Sequence, residues 1–169
     1  MRPRIWLFAL FFTFASSFQH LSSADAIPDG KSGCPVTAAP TPAFVPPSPH
    51  HPNPSNGSGY FLYGTPALWA YVHTDWQIHE GSKLPYFSEY LDHSKENDPR
   101  LSVVARRLDR PDPMVWAKWA NHAWIAETSE HFITTGLDIP SMGCWEIAAY
   151  YNPAHDKTAT LTYTVWVKP

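Results

Sequence analysis

Nine histidines stand in this chain of 169 residues, and imidazole is the side chain best suited to proton or metal chemistry near neutral pH. Two imidazoles meet one ion most readily when they stand i,i+2 on a strand or i,i+4 on a helix. No pair here has either spacing, and His50-His51 fall in a proline-rich stretch. His73, His79, His122 and His131 are left as candidate metal ligands, and only the fold can bring them together. A periplasmic metal-binding protein using such histidines is the alternative functional reading, set against one in which they are scattered side chains.

Acid–base and covalent catalysis have less to work with. The chain holds no Gly-x-Ser-x-Gly elbow for a hydrolytic serine. Asp109-x-x-Asp112, set among Arg110, Pro111 and Pro113, reads as a turn, and Arg106-Arg107 before Asp109 as an ion pair at a strand end. Glu146, two residues after a cysteine, is expected to accept from N–H groups of the proline-rich arm rather than act as a general base. No enzyme activity and no cofactor are expected.

Aromatic residues offer binding chemistry instead. Trp69, Tyr71, Trp76, Tyr86, Phe87, Trp116, Trp119 and Trp124 exceed what a small core holds. Exposed rings stack on sugars or anchor protein contacts, because they bury much area for little lost entropy. Trp69, Trp76, Trp116, Trp119 and Trp124 are the candidates for such a surface. The competing reading is that these rings fill the core and its corners, with the outer ones covered by a proline-rich arm.

The elements that must position these groups follow from composition. At 44% hydrophobic and 16% charged, with Trp, Tyr, Phe and Thr plentiful, the chain suits pleated, half-buried strands rather than a disordered tail. Arg2 and Arg4, the apolar run Ile5 to Phe18 and Ala24-Asp25-Ala26 predict a signal peptide over 1–26. A run this short falls below the ~20 residues of a membrane-spanning helix, so the exported chain is expected to be secreted or periplasmic. Removing it leaves 10 basic and 14 acidic residues, a formal charge of −4. That balance argues against nucleic acid and anionic membrane as partners.

Residues 27–58 form a distinct arm. Nine of the eighteen prolines lie between Pro28 and Pro54, which excludes helix and central strand and predicts extended chain. From residue 59 to 169 the pattern changes to short runs at about ten-residue intervals, an all-β signature. Expected strands are Tyr60–Tyr63, Ala67–His73, Leu84–Tyr86, Leu101–Leu108, Met114–Trp119, Phe132–Ile139, Cys144–Tyr150 and Thr160–Val167, with one helical turn near Glu89–Lys95. This count predicts an immunoglobulin-like antiparallel β-sandwich of about seven or eight strands.

The two cysteines, Cys34 and Cys144, are expected to pair, as an even count in an exported chain favours a bridge. Alternation supports the geometry. If Trp145 and Ile147 point inward, Cys144 points outward, where an arm carrying Cys34 would meet it.

Cys34-Pro35-Val36-Thr37 before the arm, Tyr63-Gly64-x-x-Ala67-Leu68-Trp69, Arg106-Arg107-Leu108-Asp109 and Gly143-Cys144-Trp145-Glu146 resemble a family of small secreted bacterial proteins. The resemblance spans most of the exported chain and implies the sandwich, the export and the bridge, but no substrate. It leaves an envelope protein or glycan as the expected partner, or a structural role in the envelope. Trp145 stands at a corner where tyrosine is commoner, so a corner hydrogen bond has to come from its indole N–H.

Overall fold

The computed structural model describes residue 31 and residues 33–50, 59–78, 82–126, 128–153 and 157–169. The signal-peptide reading, His51, His79 and His155 lie outside these. Among the described residues there are ten strands and no helix. They are β1 (Tyr60–Thr65), β2 (Leu68–His73), β3 (Trp76–Gln77), β4 (Ser82–Phe87), β5 (Leu101–Arg107), β6 (Val115–Trp116), β7 (Ala120–Ile125), β8 (Glu130–Leu137), β9 (Gly143–Tyr151) and β10 (Ala159–Lys168).

They form two five-stranded sheets. Sheet A has the order β1-β2-β4-β8-β7, and sheet B the order β3-β10-β9-β5-β6. All pairings are antiparallel except the short β3–β10 ladder, which is parallel and pairs Trp76 with Val167. Two expectations needed refining. Of the expected Met114–Trp119 strand only Val115 and Trp116 pair, as β6, and a separate strand, β7, follows. The expected helical turn near Glu89–Lys95 is a single hydrogen-bonded turn at its C-terminal end, with Lys95 and Glu96 N–H donating to the Asp92 carbonyl.

Alternation explains the core. Trp145, Ile147, Ala149 and Tyr151 of β9 face inward with Leu161, Tyr163, Val165 and Val167 of β10. From sheet A they meet Leu68, Ala70, Val72, Leu84, Tyr86, Ile133 and Leu137. The period-2 pattern sends the intervening residues to the outer faces. Tyr86 and Tyr163 bridge the two sheets, their hydroxyls 3.1 Å apart, and burial pushes both phenols well up. The corner bond from Trp145 is made: its indole N–H donates to the Ser141 carbonyl at 3.0 Å.

Cys34 and Cys144 are joined by a disulfide, with Cα atoms 5.6 Å apart. From there the arm adds to the free edge of β10, where Thr37 N–H donates to the Thr164 carbonyl. It then crosses sheet A. Phe44 and His50 lie against Trp69, with ring centroids 5.9 and 4.8 Å away. Together they roof a second small core of Leu62, Trp69 and Phe87 on the outer side of the sheet. Extended proline-rich chain suits this role because little conformational freedom remains for it to lose on docking.

Glycine is required at two corners. Gly64 has φ +142° and faces the backbone of Trp69, whose Cα would lie 2.6 Å from an added Cβ. Gly143 has φ +141°, and an added Cβ there would meet the Arg107 guanidinium and an Asp109 oxygen. Arg107 is almost wholly buried and donates to Asp109, Asp112 and Ser141. The Asp109-x-x-Asp112 turn is thus an arginine clamp. Glu146 accepts from Arg106 at 2.7 Å rather than from the arm.

Candidate functional site

The five candidate tryptophans do not form one surface. Trp69 and Trp76 are 1% and 3% exposed, which removes them as binding aromatics. Trp69 stacks on Phe87 (5.8 Å, 11° between planes) beneath the arm. Trp76 belongs to the main core, because β3 folds against the end of β10. Trp116, Trp119 and Trp124 are exposed. By register, Trp116 pairs with Val104 and faces out from sheet B. Trp119 lies over Gly136 on the outer face of sheet A, the nearest atom of its ring 3.1 Å from where that residue's Cβ would stand. Trp124, paired with His131, stands at the open edge of sheet A on its inner side.

The outer face of sheet A carries a groove of about 360 Å³, with Pro85 of β4 and Ala123 and Ile125 of β7 in its lining. Tyr71 of β2, Phe87 of β4 and Phe132 of β8 stand on three adjacent strands and line it, with Lys83 and Thr134 beside them. Phe87 is the junction, its ring 5.5 Å from Tyr71 and 5.6 Å from Phe132. Partial burial, with the nearby Glu130 carboxylate, holds the Tyr71 phenol above its ordinary pKa. It therefore presents a neutral O–H. Apolar rings flanked by an ammonium and hydroxyls can hold a ligand with both apolar and polar faces.

The histidines divide. His73 packs on Tyr60 and Trp76 at the end of β2, and His79 lies outside the described residues. His122 and His131 do come together: His122 Nε2 is 2.8 Å from His131 Nδ1. His93, from the segment between β4 and β5, stacks on His131 with centroids 3.6 Å apart and planes 6° from parallel. Burial, with His93 close by, holds the His122 imidazole below its ordinary pKa, and the same causes act on His131. Parallel stacked rings aim their lone pairs side by side rather than at a common point. Among the described residues no group of three or more His, Cys, Asp or Glu is arranged to hold a metal ion.

The cluster adjoins a cleft of about 420 Å³ walled by Pro47–His50 of the arm, by Ser88, Glu89, Leu91 and His93, and by Thr128–His131. His50 Nδ1 and Glu130 Oε1, 2.8 Å apart, tie the arm to β8. Sequence reasoning missed His93, His50 and Glu130. It also missed β7, without which His122 and His131 have no shared surface. The β7–β8 hairpin pairs residues whose numbers sum to 255, so these two histidines are diagonal neighbours on one face.

No family model matches the chain, and neither curated proteins nor solved structures yield a match to it.

Proposed function

We propose that this protein is an exported, non-enzymatic immunoglobulin-like module that binds a glycan or protein of the cell envelope through the outer face of sheet A. The observation that carries this reading is the groove over Tyr71, Phe87 and Phe132. Its open rings are Tyr71 of β2 and Phe132 of β8, set about 9.6 Å apart across β4, with Phe87, 1% exposed, buried between them as the floor. They make a platform for a sugar face or an apolar side chain, and Lys83 and Thr134 offer hydrogen bonds at its margin. Export is favoured by the apolar N-terminal run and by the disulfide, which persists in oxidising compartments. The arm-covered face and Trp145 at the β9 corner favour the immunoglobulin-like reading over an open sheet.

The test is binding of the oxidised chain to insoluble envelope polysaccharides and to purified envelope proteins. Retention by at least one is expected, weakened tenfold or more by Tyr71→Ala combined with Phe132→Ala. Thermal melts would establish that the double variant is folded. Trp116→Ala, on the other sheet, should leave retention unchanged. Failure to bind any member, or equal loss in Trp116→Ala, removes the proposal.

A further inference from the structure

We infer that the His93–His122–His131 stack is an acid-sensitive latch that holds residues 89–95 closed over the cleft beside the β7–β8 hairpin. The inference rests on placement. The segment is pinned at both ends and held in the middle by imidazole contacts. At one end Ser88 is buried, its hydroxyl donating to the Ala67 carbonyl at 2.6 Å. At the other, buried Glu96 accepts from the Tyr151 hydroxyl at 2.8 Å. Between these anchors His93 reaches the hairpin and stacks on His131, which in turn shares a hydrogen bond with His122.

That arrangement suits neutral rings. A neutral pair shares one proton across the 2.8 Å His122–His131 contact, one ring donating and the other accepting. Charging both leaves two donors facing each other, and charging His93 and His131 puts two cations face to face at 3.6 Å. The depressed imidazole pKa values of His122 and His131 agree with this geometry.

Other charges face the cluster. Glu89 and Asp92 stand on the segment itself, Glu130 and His50 lie across the cleft, and Lys157 sits over Tyr90. Glu130 is engaged by His50, and Asp92 by Lys95 and Ser94, so neither is free to neutralise the stack. The Asp92 carboxyl is held down to about 2 by those bonds, first from Lys95 and then from Ser94. The local turn therefore keeps its shape at the pH where the imidazoles charge. Acid separates the segment from the hairpin without unfolding the turn.

The sign follows from depressed histidine values. The open form binds protons more tightly than the closed form. Closure is complete above the ordinary imidazole value of about 6.5 and weakens as pH falls below it. The experiment is an NMR titration of the imidazole C–H resonances in the oxidised chain, paired with amide hydrogen exchange at pH 7.5 and 5. His122 and His131 midpoints should lie below the ordinary imidazole value of about 6.5. Protection over 89–95 and 128–131, corrected for intrinsic rates, should fall tenfold or more in acid. His93→Gln should move the remaining midpoints toward the ordinary imidazole value and abolish the acid-dependent loss, while His73→Gln changes neither. Ordinary midpoints with unchanged protection would overturn the latch. So would stoichiometric binding of added Zn²⁺ or Cu²⁺ by the cluster with no acid-dependent opening, which would make it a metal centre instead.

Discussion

Thr37 and Thr164, 127 residues apart, exchange two hydrogen bonds: Thr37 N–H donates to the Thr164 carbonyl at 2.9 Å, and Thr164 N–H donates to Thr37 Oγ1 at 2.8 Å. A side-chain oxygen thereby stands in for a backbone acceptor at the free edge of β10, where β3 does not reach. An unpaired edge is a template for unwanted pairing, and the arm closes this one. The Cys34–Cys144 bridge delivers Thr37 to that position, three residues after the bridge.

Thr37→Val keeps the shape and removes the acceptor. Thr164 is largely buried, so its N–H is left without a partner, at a cost of about 1–3 kcal/mol. Urea denaturation should show this loss, and Thr37→Ser should recover most of it. Equal stability of the Val and Ser variants would mean that the hydroxyl contributes nothing at this edge.

Reduction of the disulfide should cost more. The closed loop spans 110 residues, for which chain entropy alone gives about 4–5 kcal/mol, with measured values often smaller. Denaturant midpoints with and without reductant should therefore differ strongly. Cys34→Ser in a Cys144→Ser background should match the reduced protein. Phe44 and His50 should still touch sheet A at neutral pH, since their contacts do not depend on the bridge.

Arg107 anchors the corner where β5 meets the β9 bridge. Its bonds hold the Asp109 carboxyl below the ordinary carboxylate range. At Asp112 desolvation pushes upward, but bonds from Arg110 and Arg107 prevail and hold it low. Carboxylates with depressed values stabilise the fold above about pH 4, and that contribution fades as pH falls through them. Arg107→Ala should therefore destabilise by about 1–3 kcal/mol at neutral pH, with a deficit that shrinks below about pH 4. A deficit independent of pH would assign the loss to packing under Trp145 rather than to charge.

Much of this was legible in the sequence. Alternation in Thr160–Val167 and Cys144–Tyr150 gave the inward sets of β9 and β10, the outward Cys144 and hence the bridge. Seven of the eight expected runs match strands with ends shifted by a residue or two, and the eighth, Met114–Trp119, shrinks to Val115–Trp116. What escaped notice was short or non-local. Trp76–Gln77 is a strand only because Val167 and Lys168 lie beside it. β7 was hidden because Ala120 to Ile125 has no simple alternation of apolar and polar residues at an exposed edge. Losing β7 lost the histidine cluster with it. The aromatic surplus was legible in number but not in placement, since Trp69 points outward by parity and is buried only because the arm returns over it.

Gly143→Ala should be among the most damaging single-methyl changes in the chain. The residue has φ +141°, a region that L side chains rarely adopt, and the methyl would press on the Arg107 guanidinium and on Asp109. Strain of order 1–3 kcal/mol should add to a weakened clamp. In an Arg107→Ala background the same change should cost less, because the obstructing side chain is gone. A double-mutant cycle measures that coupling. Additivity would show that backbone strain alone sets the cost.

Trp69→Ala and Trp124→Ala separate an outward-pointing ring that is roofed from an edge ring that is open. Trp69 is 1% exposed and packed against Phe87, Phe44 and His50, whereas Trp124 is 65% exposed. Removing the first should cost about 3–5 kcal/mol through lost burial and a cavity. It should also loosen the arm, seen as faster amide exchange over residues 44–50. Removing the second should change stability by less than about 0.5 kcal/mol. If both variants melt together near the parent, the arm does not roof sheet A in solution.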